Sequence, residues 1–141
     1  MKADYVIHLL SRTRDRIQKH LTVEMERQGI QDIAPAHGGV LFALSKSGPV
    51  TMSDLADALD RTNSTITTLL DKMESLGYVK RRQSIEDERV FLAELTEKGK
   101  AATNAVTKAS RKTLSALFKG FSNPEKEEFM RLLSIIHSNL N

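Results

Sequence analysis

The sequence predicts a mainly α-helical protein with one small β-hairpin, and three observations lead to this fold class. Apolar residues recur at intervals of three, four and seven along both ends of the 141-residue chain, as in helices that bury one face. Two shorter helical patterns occupy the middle, and two strand-like runs follow them around the polar turn SIEDE. Residues that cap or end helices stand at the boundaries of these patterns.

The composition is that of an ordinary globular domain. Hydrophobic residues make up 40% of the chain and charged residues 28%. The sequence has no cysteine, which excludes disulfides and thiolate metal sites within it, and no apolar run approaches the length of a bilayer. The N-terminus does not resemble a secretion signal, so we expect a cytoplasmic protein. A net charge of +3 is too mild to identify nucleic acid as a partner by itself.

The first two helices are predicted from an apolar stripe and from the residues at their ends. A long helix over about 4–28 stops at Gly29. After a linker, Pro35 suits the first turn of a second helix that runs to about residue 46, because that position needs no N–H. Gly38 and Gly39 fall early in this helix. Either they allow another backbone to approach closely, or the helix begins after them.

The middle of the chain predicts a winged helix-turn-helix. Its elements are, in order, a very short strand at 50–51, a helix capped by Ser53, a break at 60–63, a helix over 63–76 that ends at Gly77, and strands over 78–83 and 89–95. The two longer strands form the hairpin, or wing. In a module of this kind, the second helix of the helix-turn-helix lies in the major groove of DNA.

The remaining helices predict a dimer. Thr96 caps a fifth helix that extends to about Gly120, and Ser122 caps the last helix. The first, fifth and last helices carry apolar stripes that one chain covers only in part. A second chain whose terminal helices interleave across a two-fold axis would cover them. We therefore predict a helical dimerisation region at 1–34 and 97–141, and a DNA-binding region at 35–96.

The helix over 63–76 presents short polar side chains at its N-terminal half, the end that approaches base edges. Asn can bind adenine through two hydrogen bonds, while Ser and Thr can reach base edges or phosphates. Helix capping or a solvated surface also explains each of these residues singly, so the cluster carries the hypothesis. Arg61 and Lys72 flank this face as candidate phosphate contacts. The candidate base contacts are Asn63, Ser64, Thr65, Thr67 and Thr68.

The tip of the predicted wing is the second candidate DNA contact. Arg89 follows Asp87 by two residues, so the carboxylate can hold and aim the guanidinium. An arginine on a narrow loop suits the minor groove, where the potential is strongly negative. By charge alone, EDER would be a solvated turn. At the base of the wing, Arg81 lies between two further basic residues and is a candidate phosphate contact, with ordinary strand charge as the alternative.

These landmarks together resemble the MarR family of bacterial transcription regulators. The stretch LADALDRTNSTITTLLDKMESLGYVKRRQSIEDERVFLAELTEKGKA carries the resemblance through its SDLA helix, STITTLLDKMESLGYVKR, the Asp87-x-Arg89 wing and LTEKG. The long flanking helices are similar to the dimerisation elements of the family. One departure matters: many members have an arginine in the recognition helix where this chain has Thr67 and Thr68, so their base preference does not transfer.

The resemblance implies a homodimer that binds a pseudo-palindromic operator in double-stranded DNA, with repression as the expected mode of regulation. It also implies that a small anionic or phenolic effector binds between the dimerisation and DNA-binding lobes. We expect that pocket where the first, second and fifth helices meet, although core or surface roles explain its residues equally well. The candidate lining residues are Tyr5, His8, Arg12, His37 and Phe42.

Other kinds of function are less well supported by the sequence. The four histidines share no metal-ligand spacing, and there is no phosphate-binding glycine loop or nucleophile elbow. We therefore expect no metal, no cofactor and no enzyme activity. The rival hypothesis is a winged-helix module that contacts another protein without binding DNA. A third hypothesis, an enzyme or small-molecule carrier, would require a bound cofactor or turnover.

Overall fold

A computed structural model describes residues 2–141 and shows six α-helices and a three-stranded sheet. A 3-10 turn at Ala3–Tyr5 leads into the first helix. The elements are α1 (Val6–Arg27), α2 (Pro35–Ser47), β1 (Val50–Thr51), α3 (Met52–Leu59), α4 (Asn63–Ser75), β2 (Val79–Gln83), β3 (Phe91–Leu95), α5 (Glu97–Leu117) and α6 (Asn123–Asn139). The predicted mainly helical fold with a small wing is confirmed.

Two glycines end helices as the sequence predicts. Gly29 after α1 and Gly77 after α4 have φ angles of 86° and 84°, in the left-handed region that glycine tolerates best. The residue after each glycine then donates its N–H to a carbonyl five residues earlier, Ile30 to Met25 and Tyr78 to Met73, both at 2.9 Å. These turns direct the chain out of each helix and back against the core.

The third helix begins differently from its predicted start. Thr51, and not Ser53, caps α3, because the Thr51 hydroxyl accepts the N–H of Asp54 at 3.0 Å. The reason lies in the sheet. Val50 and Thr51 pair with Ala93 and Leu92 of β3, so the chain passes directly from strand to helix and leaves no room for a later cap. The sheet therefore has three antiparallel strands in the order β1-β3-β2, with β1 added to the hairpin.

The two glycines of α2 have different surroundings. The helix begins at Pro35 and includes both glycines, so the alternative of a later start is wrong. A Cβ on Gly38 would lie 3.0 Å from a methyl group of Val106 in α5, whereas a Cβ on Gly39 would meet only ordinary contact at 3.9 Å. Gly38 thus allows α2 to pack closely on α5, with a side chain rather than a backbone as the neighbour.

The end of α4, the start of β2 and the start of α5 meet at one junction. Three consecutive carbonyls, those of Leu76, Gly77 and Tyr78, accept hydrogen bonds from the segment 96–98. Lys98 Nζ donates to Leu76 at 2.6 Å, the Thr96 hydroxyl donates to Gly77 at 2.6 Å, and the Thr96 N–H donates to Tyr78 at 3.1 Å. Carbonyls that a helix end would leave unpaired are therefore satisfied by the next helix.

The ring of Tyr78 fastens the linker before α2 to this junction. Its hydroxyl donates to the carboxylate of Asp32 at 2.7 Å, and Lys98 Nζ lies 4.5 Å from the ring centroid. Burial, together with the bond to Asp32, raises the pKa of Tyr78 to about 12. Thr96 also caps α5 as predicted, because its hydroxyl accepts the N–H of Gly99 at 3.1 Å.

A continuous apolar core joins the two predicted regions. It contains Met25 of α1 and Ala102, Val106 and Ala109 of α5 together with residues of all the elements from α2 to β3 except β1. The division at residues 34 and 97 stays a prediction, since the N-terminal half of α5 packs with the winged module. No helix among residues 2–141 is both long and apolar enough to span a membrane.

The last helix has no buried residue in the single chain. Its Phe129 forms a cluster with Phe118 and Phe121, which precede the helix, and the three ring centroids lie 5.4–6.0 Å apart in edge-to-face arrangement. Near its C-terminus, His137 Nε2 lies 3.4 Å from the carboxylate of Asp60 in the turn between α3 and α4. The apolar side chains exposed to solvent along α6 and at its C-cap residue Leu140 are Phe129, Met130, Leu132, Leu133, Ile135, Ile136 and Leu140.

Substitution of Gly99 tests the junction. A Cβ at this position would collide with the carbonyl oxygen of Tyr78, the oxygen that accepts the Thr96 N–H. We expect Gly99→Ala to lower the free energy of unfolding by about 2–3 kcal/mol, as overpacking of a rigid site does. Gly39→Ala is the matched control, because a helical glycine with open space gains about 1 kcal/mol on this change. Urea unfolding measures both; equal effects of the two substitutions would contradict the proposed constraint.

Candidate nucleic-acid interface

Helix α4 buries one face and exposes a continuous polar face. Ile66, Leu70 and Met73 are completely buried in the core. Thr62 caps the helix by accepting the Thr65 N–H at 3.2 Å, and the Thr62 hydroxyl donates to the Thr65 hydroxyl at 3.0 Å. The exposed face contains all six residues that the sequence analysis assigned to this helix, namely Asn63, Ser64, Thr65, Thr67, Thr68 and Lys72.

The exposed hydroxyls of α4 differ in how they are engaged. Thr67 donates to the carbonyl of Asn63 at 2.9 Å, and Thr68 donates to the carbonyl of Ser64 at 3.1 Å. Within residues 2–141, the side chains of Asn63 and Ser64 make no hydrogen bond. The N-terminal end of the helix therefore offers free polar groups, and the next turn offers threonines bonded to their own backbone.

The wing carries Arg89 as its most exposed cation. Val90 closes the tip by donating its N–H to the carbonyl of Asp87 at 3.0 Å. The Asp87 carboxylate accepts two hydrogen bonds from Arg89, from the backbone N–H at 3.0 Å and from Nε at 3.2 Å. The side chain of Arg89 remains 91% exposed. The expected bracing of the arginine by the aspartate is confirmed, and the rest of the guanidinium is free.

The structure places Arg81 elsewhere than the sequence analysis expected. Its guanidinium lies 2.6 Å from Asp71 and 2.9 Å from Glu74 of α4, and its side chain is only 21% exposed. The hydrogen bond with Glu74 is the main cause that raises the pKa of Arg81 and lowers that of Glu74. Successive residues of a strand face opposite sides, so Arg81 points to α4, whereas Lys80 and Arg82 both approach Glu94, at 3.5 and 3.4 Å.

Arg61 lies in the turn before α4, and Lys72 lies on the polar face near the C-terminal end of the helix. Asp60 adopts the left-handed conformation, with φ 51°, and the Arg61 N–H bonds to the carbonyl of Ala56 at 2.9 Å to complete the turn. Both cationic side chains are exposed, and neither forms an ion pair with another residue of the described part of the chain. Together with Arg89, they are the cations that this surface can offer to phosphates.

A cavity of about 430 Å³ lies where α1, α2 and α5 meet, the place at which the effector pocket was expected. Its walls are mostly apolar. Phe42 lines the cavity, but the other four candidate residues do not. Instead, α5 supplies a polar edge with Thr107, Ser110 and Arg111. These residues share one face of α5, but only folding brings that face against α1 and α2, so their spacing in the sequence did not indicate a cavity.

The four other candidate effector residues have different surroundings, which corrects their assignment. Tyr5 and His8 line a separate shallow depression at the start of α1, and Arg12 is exposed further along the same helix. His37 is buried, and its Nδ1 accepts the N–H of Ala34 at 3.1 Å. The imidazole thus accepts the backbone N–H of the residue before α2, as a Glu or Gln side chain at the third helical position does in a capping box.

An exposed polar helix beside a protruding arginine hairpin defines the class of winged helix-turn-helix DNA-binding regulators, and comparisons with known proteins give the family. The MarR family model matches residues 31–90. The transcriptional repressor MdtR of Bacillus subtilis (strain 168) is 30% identical over 111 residues, which cover 79% of this chain and 69% of that protein. The matched regions span 58–69% of three B. subtilis relatives. The chain belongs to the MarR family of transcription regulators, which are not enzymes.

Solved structures share the fold over nearly the whole chain. The S. aureus MepR–DNA complex superimposes with a TM-score of 0.84 at 23% identity, and covers 99% of this chain and 98% of that one. Bordetella bronchiseptica BpsR, whose DNA binding is regulated by 6-hydroxynicotinic acid, superimposes with a TM-score of 0.76 at 22% identity, and covers 94% of this chain and 98% of that one.

The buried imidazole predicts loss of stability in mild acid. Burial, with the positive charge of Lys72, lowers the pKa of His37. The unfolded chain therefore binds a proton more readily than the folded chain, and stability falls as the pH drops below about 6.5. His37→Asn keeps an acceptor for Ala34 and removes the titration, so we expect a flatter dependence between pH 7.5 and 5.5. Urea unfolding measures this; His8→Asn is the exposed control, and an unchanged slope in His37→Asn would contradict it.

Proposed function

We propose that the protein is a homodimeric, sequence-specific regulator that binds double-stranded operator DNA and represses transcription. The observation that carries this proposal is that one winged module presents both an open polar helix face and an exposed arginine braced by Asp87. A face that binds another protein usually presents an apolar centre. The exposed face of α4 is instead composed of short polar residues and Lys72, with Arg61 in the turn before the helix.

In the proposed complex, α4 lies in the major groove and the wing reaches the adjacent minor groove. Asn63, Ser64 and Thr65 approach base edges with the N-terminal end of the helix. Arg61 and Lys72 bind phosphates on the two sides of the groove. Arg89 enters the minor groove with its guanidinium held by Asp87 at 3.2 Å. The half-sites of a pseudo-palindromic operator then lie about one helical turn, or roughly 10 bp, apart, or a multiple of that.

Arg81 has an indirect part in this proposal. Asp71 and Glu74 lie on the same helix as the base-reading residues, and their charges repel phosphates. Arg81 lies within 2.9 Å of both carboxylates and balances much of their charge. We therefore assign Arg81 to the electrostatics of α4 and to holding β2 against that helix, in place of a direct phosphate contact.

The uncovered terminal helices support the homodimer. Helix α6 exposes six large apolar side chains along its length, and the start of the chain exposes Tyr5 of the 3-10 turn with Val6, Ile7, Leu9 and Leu10 of α1. Exposed apolar surface on this scale marks an interface in a soluble protein. A second copy that packs α1, α5 and α6 across a two-fold axis covers these residues and brings two recognition helices to one face of DNA.

The cavity between α1, α2 and α5 supports a response to a small effector. Its apolar walls suit an aromatic ring, and Arg111 at its edge suits a carboxylate or phenolate. BpsR responds to a molecule of this kind, a hydroxylated aromatic acid. The cavity touches α5, which continues to the dimerisation region, and α2, which packs on the winged module. A ligand in this cavity therefore favours one orientation of the winged module relative to the dimerisation region over another.

Removal of the wing arginine tests the DNA-binding mode. We expect Arg89→Ala to weaken operator binding about tenfold and to reduce the slope of log affinity against log salt by about one unit, because one phosphate-region contact is lost. Arg131→Ala is the matched control, since Arg131 pairs with Glu128 on α6, away from α4 and the wing. Fluorescence anisotropy across a salt series measures the slopes. An unchanged slope in Arg89→Ala would show that the wing does not reach DNA.

The indirect role of Arg81 predicts a rescue. Arg81→Ala leaves two carboxylates unbalanced, and each near a phosphate costs about 1 kcal/mol, so binding weakens on the order of tenfold at low salt. Adding Asp71→Asn restores part of that affinity. Arg82→Ala, which affects Glu94 on the opposite side of the strand, is the control. Failure of the second substitution to restore any binding would indicate that Arg81 contacts DNA itself.

The effector proposal is tested by thermal shift with 6-hydroxynicotinic acid and simpler aromatic acids as probes. We expect at least one probe to raise the midpoint of thermal unfolding of the wild-type protein and to weaken its DNA binding. Arg111→Ala and Phe42→Ala should reduce the shift, since both residues line the cavity. Arg12→Ala, outside the cavity, should keep it. Loss of the shift in Arg12→Ala alone would locate the ligand elsewhere.

A further inference from the structure

Two of the three threonines on the exposed face of α4, Thr67 and Thr68, already donate their hydroxyl protons within the helix. Thr67 donates to the carbonyl of Asn63 and Thr68 donates to that of Ser64, at 2.9 and 3.1 Å. A hydroxyl has a single proton to donate. Each of these two side chains is exposed, so what it can offer to a partner is the Cγ2 methyl group and the remaining lone pairs of the oxygen.

We propose that Thr67 and Thr68 recognise the 5-methyl groups of thymines in the operator half-site, and do not donate hydrogen bonds to bases. This inference rests on the proposed placement of α4 in the major groove. In that groove, thymine alone among the four bases presents a methyl group, and a threonine methyl is a suitable contact for it. The branched side chain is stiff about χ1, so the bond to the backbone fixes the position of the methyl group as well.

The helix therefore has two levels of recognition with different chemistry. Asn63 and Ser64 make no side-chain hydrogen bond within residues 2–141 and supply free donors and acceptors. Thr67 and Thr68 lie one turn later, about 6 Å along the helix axis. That distance is close to two base-pair steps of roughly 3.4 Å each. The half-site should thus contain a position read by hydrogen bonds and, about two base pairs away, thymines read by their methyl groups.

Pairs of substitutions separate the methyl group from the hydroxyl. Thr67→Val and Thr68→Val keep the methyl and the shape but remove the hydroxyl, while Thr67→Ser and Thr68→Ser keep the hydroxyl and remove the methyl. The matched DNA change replaces single thymines by deoxyuridine, which deletes only the 5-methyl group. Thr22 of α1 is the control residue. It makes the same bond, from its hydroxyl to the Gln18 carbonyl at 2.9 Å, on an exposed helix surface away from α4.

The probe is a duplex that the wild-type protein selects from a random-sequence pool. We expect deoxyuridine at the same position of both half-sites to weaken wild-type binding about fifteenfold at one or two positions, which is about fourfold for each of the two buried methyl groups removed. The valine variants should keep this preference for thymine. The serine variants should bind the thymine and deoxyuridine duplexes equally, at the wild-type affinity for the deoxyuridine duplex. Thr22→Val and Thr22→Ser should leave both affinities unchanged.

The opposite result identifies the hydroxyls as the reading groups. Weaker binding by the valine variants, with serine variants that resemble the wild type and no effect of deoxyuridine, would overturn the inference. The proposed function would still hold in that case, because the wild-type protein had selected a specific duplex. If the wild-type protein selects no specific duplex, the proposed function itself fails, and the two failures are distinguished.

Discussion

The junction between the end of α4, the start of β2 and the start of α5 is the constraint on which the rest of the structure depends. Three successive carbonyls, of residues 76–78, accept hydrogen bonds from two residues, Thr96 and Lys98. Gly99 follows immediately and leaves no space for a side chain against Tyr78. This arrangement fixes the directions of the recognition helix and the wing relative to α5. Since α5 continues into the uncovered helical region, the junction physically connects that region to the surface proposed to bind DNA.

Ion pairs near α4 leave only a few cations unpaired, which agrees with the modest net charge of the chain. The whole chain carries only +3. Arg81 forms ion pairs with Asp71 and Glu74, and Lys80 and Arg82 both approach Glu94. The cations left to phosphates are therefore few and well placed, at the helix-turn-helix turn, at the side of α4 and at the wing tip. In the proposed complex, an attraction of this kind leaves sequence recognition to the short polar side chains of α4.

Local patterns in the sequence predicted most of the fold. Apolar spacing located all six helices, and Gly29, Gly77, Thr96 and Ser122 ended or capped helices where expected. Local patterns do not predict the pairing of segments that are far apart in the chain. The cap at Thr51 depends on strand β1 joining β3, about 40 residues later in the chain, a contact that no neighbouring residue indicates.

The candidate site shows the same limit. The exposed face of α4 and the bond between Asp87 and Arg89 follow from local spacing and were predicted. Arg81 and His37 were assigned to partners outside the chain because both are polar residue types, but each satisfies a group within the fold. The role of Arg81 depends on the packing of β2 against α4. The role of His37 depends on the local fold at the start of α2, which brings the imidazole to the N–H of Ala34. The residues of α5 that line the cavity were missed for a related reason, since they meet α1 and α2 only after folding.

The most direct test of the account compares binding of the purified protein to the intergenic DNA upstream of its own gene with binding to scrambled DNA of equal length, over a series of salt concentrations. The account predicts that the protein retains the upstream DNA at moderate salt, where the scrambled duplex has dissociated, because base contacts from α4 add to the phosphate contacts. Equal and weak binding to both duplexes, with the same steep salt dependence, would contradict it. The surface would then be a basic patch without sequence recognition.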